Sequence, residues 1–146
     1  MSYSLRFSQA IEIIIFIAMK SEREFYDYLS IPKIAEGLNI PVPSVKKLIG
    51  MLKVANLILS KPGVSGGLAL TKTINEINLY DVLSAVEGEG ILFPIYENFD
   101  IENFPDKNIV IPVIKNSRNI FQGIQEQMVA SLRATTLLDL FHDKIE

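Results

Sequence analysis

The sequence predicts a mainly α-helical protein with a small β-hairpin, and three observations predict it. Two short segments, 31–38 and 43–55, carry apolar residues at i, i+3, i+4 and i+7. Pro41 and Pro43 stand at their junction and forbid one continuous helix. Directly after them, Leu57-Ile58-Leu59-Ser60 and Leu68-Ala69-Leu70-Thr71 read as strands flanking a glycine-rich tip, 61–67. Helix, sharp turn, helix and hairpin is the plan of a winged helix-turn-helix. A long apolar-rich helical segment in the C-terminal part completes the pattern.

The chain of 146 residues suits one compact domain, or a small domain with a helical extension. Its 49% hydrophobic residues can fill a core. There is no cysteine, which excludes disulfides, thiol catalysis and cysteine-held clusters. The longest apolar run, Ile13 to Met19, is far too short to span a bilayer. No small-residue cleavage site follows an apolar stretch at the N-terminus, so a cytoplasmic protein is expected. The net charge is −3, but it is unevenly spread. From Leu38 to Asn75 there are five lysines and no acid; from Gly88 onward there are five basic and nine acidic residues. A basic face on an acidic body is one sign of a nucleic-acid binder. Ordinary surface lysines give the same count.

Residues Ser4 to Lys20 are apolar on nearly every turn, which predicts a helix buried in a core or against another subunit. Ser21 to Tyr28 reads as a connector with helical tendency. In the first short helix Ile31, Ile34, Ala35 and Leu38 form the apolar face, and Asn39 can end it in the left-handed conformation. In the second, expected from Pro43 to Ala55, the buried face is Val45, Leu48, Ile49 and Leu52. Lys46, Gly50 and Lys53 lie opposite, with Ser44 and Lys47 at the N-terminal flank. A recognition helix needs this division: one face anchors it, and the other carries donors into the major groove. An ordinary amphipathic helix with solvated lysines has the same stripe. The hairpin tip offers Lys61, Ser65 and Gly66, whose bare backbone suits contact with phosphates or the minor groove. A plain hairpin turn is the bland alternative. No Gly-Lys-Ser/Thr follows the glycines, so a nucleotide phosphate loop is not expected.

These residues carry a family resemblance. Ile34-Ala35-Glu36, Leu48 and Leu52, Asn56-Leu57-Ile58, and Gly63-Val64-Ser65-Gly66-Gly67-Leu68-Ala69-Leu70 match at family spacing. So does Glu76-Ile77-Asn78-Leu79-Tyr80-Asp81-Val82, running on to Val86-Glu87-Gly88. Together they resemble the Rrf-two family of bacterial winged-helix transcription regulators. The resemblance implies a long C-terminal helix crossing a partner subunit, hence a homodimer on a pseudo-palindromic operator. Cluster-binding members carry three cysteines after the Val-x-x-Glu-Gly helix; here the segment 89–107 has none, so no iron–sulfur cofactor is expected. Ser44-Val45 stands where an aromatic–leucine pair is usual, and Lys46-Lys47 where the pair is more acidic or neutral. Lys61-Pro62 replaces the usual arginine before the wing glycine.

Asn78 to Glu87 reads as a helix capped by Asn78, with Asp81 in its first turn and Leu79, Val82, Leu83 and Val86 inward. Glu89 to Lys107 is acidic and aromatic. It reads as a loop packed on itself, part of an effector pocket, or a partner-protein surface. Ile109 to Leu132 is helical, most clearly from Asn116, with Asn116 or Ser117 able to cap it; Thr135 to Phe141 is expected as a short last helix. His142 is one imidazole and makes no metal site.

The expected organisation is a DNA-binding domain over 1–88, a connecting segment over 89–107 and a helical dimerisation region over 108–146. The expected function is a cytoplasmic, homodimeric regulator of transcription, a repressor, with double-stranded DNA as partner and no membrane contact. Ser44, Lys46 and Lys47 would face the major groove; Lys53, Lys61, Ser65 and Gly66 would meet the backbone. The alternative is a winged-helix module that binds protein and regulates an enzyme. No triad, metal cluster or phosphate loop supports an enzyme.

Overall fold

A computed structural model describes residues 4–23, 29–63 and 66–141. The order is α1 (Arg6–Arg23), α2 (Ile31–Leu38), α3 (Val42–Val54), β1 (Ile58–Lys61), β2 (Gly67–Leu70), α4 (Leu79–Glu87) and α5 (Lys107–Ala134). Single 3-10 turns lie at Ile101–Asn103 and Leu138–Phe141. Two compact units result: Met1–Gly88 with Leu132–Glu146, and Glu89–Ser131.

The first unit has a dry core. Ala10, Ile13, Ile14 and Ile17 of α1 are buried at one helical spacing and meet Ile34, Val45, Leu48, Ile49, Leu52 and Val82. The helix reaches Arg23, three residues beyond its expected end at Lys20. The rest of the expected connector, 24–28, lies outside the described residues.

Local chemistry sets the ends of α2 and α3. Ser30 caps α2 by accepting from the Lys33 N–H at 3.4 Å. Asn39 then takes the left-handed conformation (φ 53°), and the Ile40 N–H returns to the Ala35 carbonyl at 3.1 Å. Asn56 does the same after α3 (φ 59°), with the Leu57 N–H on the Leu52 carbonyl at 2.9 Å. Both are six-to-one helix terminations with a buried apolar residue just beyond. Helix α3 begins one residue earlier than expected, at Val42, with Pro41 at the cap position and no side-chain cap. Its first turn is set by the fixed φ of two prolines, so Val42 can be helical without being a cap.

β1 and β2 pair antiparallel, with Ile58 opposite Leu70 and Lys61 opposite Gly67. Leu29 adds a parallel bridge to Gly67, and the Leu68 N–H donates to the Leu29 carbonyl at 2.9 Å. This third edge is what makes Gly67 obligatory: its φ is +113°, and a Cβ there would lie 2.7 Å from the Leu29 carbonyl oxygen.

Asn78 and Asp81 form a reciprocal capping box on α4, at 2.8 and 3.0 Å. Val82 and Val86 are buried; Leu79 and Leu83 are half-buried. The chain then leaves this unit and returns to it after α5. Thr135 accepts from the Leu79 N–H at 2.9 Å, and the Leu137 N–H donates to the Ile77 carbonyl at 2.9 Å. Leu137 is fully buried. The expected last helix is therefore shorter: residues 135–137 are tied to 77–79, and only 138–141 form a 3-10 turn.

In the second unit α5 starts at Lys107, nine residues before the clearest helical pattern. Asp106 opens it, accepting from the Asn108 N–H at 2.9 Å, so neither Asn116 nor Ser117 is a cap. Ser117 instead donates to the Val113 carbonyl within the helix at 2.8 Å. Pro112 sits inside the helix. At 1.5 Å per residue α5 is about 42 Å long. It buries none of its residues fully.

Candidate nucleic-acid interface

Helix α3 divides as its period requires. Val45, Leu48, Ile49 and Leu52 are at most 3% exposed, while Lys46, Lys47, Gly50 and Lys53 are exposed. Ser44 is half-buried at the first turn. The anchor is as complete as a helix of this length permits, so the opposite face is held in place without help from the lysines.

Neither Lys46, Lys47, Lys53 nor Lys61 takes part in an ion pair among the described residues. Lys46 and Lys47 lie in the first half of α3, where a cation opposes the helix macrodipole. An uncompensated cation in an unfavourable place is available to an external anion. Lys53 sits in the last turn, where its charge is favourable to the helix.

Lys61 is exposed at the end of β1, opposite Gly67, and so belongs to the wing rather than to α3. Gly66 is half-buried, and the space above its Cα is already taken: a Cβ would stand 2.1 Å from the Lys61 carbonyl oxygen. The tip thus requires glycine at Gly66 for close packing on its own strand, and its N–H is bonded to the Gly63 carbonyl at 3.1 Å. Its N–H is therefore satisfied within the tip. Val64 and Ser65 lie outside the described residues, so the expected Ser65 contact is not placed. A Cβ added at Gly50 would meet no side chain or other element within 4 Å.

One surface residue escaped the sequence pattern. Val42, in the first turn of α3, is 46% exposed between Pro41 and Pro43. The N-terminal end of a recognition helix is nearest the bases, and a valine there can meet a thymine methyl group. The signal was present in the sequence, but Val42 reads as a turn residue until the helix is seen to include it.

The Glu76 carboxylate accepts from the Thr73 backbone N–H at 3.0 Å and from its hydroxyl at 3.0 Å. These bonds, the backbone one foremost, hold its pKa below the usual glutamate value, with help from Lys72. Among the described residues no helix is long and apolar enough to cross a membrane.

A family model described as Rrf2, iron-dependent transcriptional regulator, matches residues 3–143. A provisionally named HTH-type transcriptional regulator of Synechocystis, slr0846, is 29% identical over 81% of this chain and 74% of its own length. YwnA of Bacillus subtilis, named in the same way, is 30% identical over 75% of this chain and 78% of its own. IscR of T. potens has a similar fold: TM-score 0.66, 18% identity, covering 96% of this chain and 85% of that one. The family description names iron, and this chain does not fit a cysteine-held iron centre. It has no cysteine, and among the described residues no three His, Asp or Glu side chains come together.

Proposed function

The chain belongs to the Rrf2 family and is a DNA-binding transcription regulator; from that premise we propose that it works in the cytoplasm as a homodimeric repressor on a pseudo-palindromic operator. Lys46, Lys47 and Ser44 enter the major groove, and Val42 packs on a thymine methyl group. Lys53 and Lys61 meet phosphates, and the wing approaches the minor groove.

One observation carries this reading. Among the described residues the cationic face of α3 makes no ion pair, while its opposite face is wholly committed to the core. The dimer rests on α5. Ile109, Val113, Ile120 and Ile124 fall along one side of it, 47–64% exposed. Isoleucine and valine at that exposure on one helical stripe need a cover, and a second copy of the same helix supplies one. The two recognition helices of a two-fold dimer then read two half-sites.

The test is selection of DNA from a random pool. The wild-type protein is expected to enrich a palindromic motif. The double variant Lys46→Glu/Lys47→Glu should enrich nothing and keep its size on light scattering. Retained selection by that variant would remove α3 from the reader's role.

A further inference from the structure

The second unit holds a cavity of about 570 Å³ between residues 91–97 and one side of α5. That volume is within the range of small-molecule sites, roughly 300–1,000 Å³. Its apolar wall includes Ile91, Phe93, Ile95 and Phe121. The Phe93 and Phe121 rings stand 6.0 Å apart at 53°.

The wall is built rather than draped. Gln125 accepts from the Leu92 N–H at 3.0 Å and donates to the Gly90 carbonyl at 3.0 Å. Both ends of this amide are used in fastening the segment to the helix. Gln122 donates to Glu126 at 3.0 Å, which leaves the Gln122 carbonyl as an acceptor. The Arg118 guanidinium is paired with Glu97. Among the polar lining residues, Glu126 is a carboxylate with no cation paired to it among the described residues. Counting Arg118, Glu97 and Glu126, the lining carries a net charge of −1.

The cavity uses the side of α5 that carries Arg118, Phe121, Gln122, Gln125 and Glu126. At 3.6 residues per turn, Ile109, Val113, Ile120 and Ile124 lie on roughly the opposite side. A second helix on that stripe does not have to fill the cavity.

We propose that this cavity binds a small apolar organic cation, packed against the contacting Phe93–Phe121 pair with its charge toward Glu126. Aromatic side chains and an uncompensated carboxylate both favour a cation over a neutral or anionic molecule of equal shape. The proposal goes beyond DNA recognition and stands whether or not an operator is found.

The test is calorimetric titration of the full chain, without DNA, with tetraphenylphosphonium and with tetraphenylborate. The two ions share size and shape and differ in charge. Saturable binding of the phosphonium at one per protomer is expected, with the borate binding far more weakly. Phe121→Ala should weaken phosphonium binding about tenfold. Glu126→Gln, an exposed change that leaves packing alone, should weaken it about threefold. Equal binding of both ions, no saturation, or an unchanged Glu126→Gln variant would overturn the proposal. So would an unliganded wild-type dimer that Phe121→Asp converts to monomer, since a second copy would then occupy the cavity.

Discussion

Lys46 and Lys47 stand where a lysine does nothing for the helix that carries it. Gly50 belongs to the same argument. It lies between Lys46 and Lys53 on the exposed face, and a Cβ there would meet nothing within 4 Å. Helix propensity alone favours alanine at such a position by about 1 kcal/mol. Gly50→Ala is therefore expected to raise stability in urea melts by about 1 kcal/mol. If the face receives DNA, the same methyl group should lower operator affinity. A variant both more stable and fully active would show that no phosphate or base comes close to Gly50. Glu76 offers a second check at this scale. Its bonds to Thr73 lower the folded-state pKa, so they stabilise the fold above the unfolded pKa and are lost as pH falls through the folded one. In an NMR titration its carboxyl carbon should have a midpoint below the ordinary glutamate value. Thr73→Ala removes the hydroxyl donor alone and should move that midpoint upward.

The elements differ in how far the sequence foretold them, and the reasons are physical. The buried faces of α2 and α3 follow from the 3.6 period because each packs one side on a single core, so the apolar spacing carries the whole signal. Asn39 was legible because asparagine tolerates positive φ. Asn56 performs the same termination but sits directly before the strand run Leu57-Ile58-Leu59, whose pattern masks it. The third edge of the wing, Leu29 on Gly67, joins residues 38 apart and leaves no local mark. Helix α5 reads most clearly only from Asn116 because the apolar period is plainest there, and Pro112, in its second turn, still leaves most of the helix hydrogen bonds intact. Asp106, whose side chain serves the turn at its start, was the missed signal. In the candidate site, the lysines were legible by their spacing, while Gly66's internal hydrogen bond and Val42's exposure needed the fold. Capping gives a clean test at this scale. Asn78→Ala removes one arm of the α4 capping box and should cost about 1 kcal/mol. Asp81→Ala removes the other. Their combined loss should be less than the sum, because each side chain supports the same turn.

For the whole molecule as proposed, a homodimer, the charge pattern would matter through the number of copies that meet DNA together. The chain carries a net −3, yet its lysines between Leu38 and Asn75 face no acid within that stretch. Lys53 and Lys61 are the proposed phosphate contacts, two per protomer and four in the proposed dimer. Each neutralised phosphate contributes about −0.9 to the slope of log K against log salt, so the dimer should show a slope of about −3.6 and a monomer about −1.8. Lys53→Gln should reduce the dimer slope by about 1.8, since both copies lose the contact. The oligomer enters the same measurement from the other side. Ile120→Asp with Ile124→Asp places charges on the exposed stripe of α5, away from the core, and should yield a folded monomer. That monomer is expected to bind a single half-site with half the wild-type slope. A full slope in a protein shown to be monomeric would mean that one protomer makes all the phosphate contacts. The lysine assignment would then have to extend to Lys46, Lys47 or Lys72, and the two-fold operator would no longer follow.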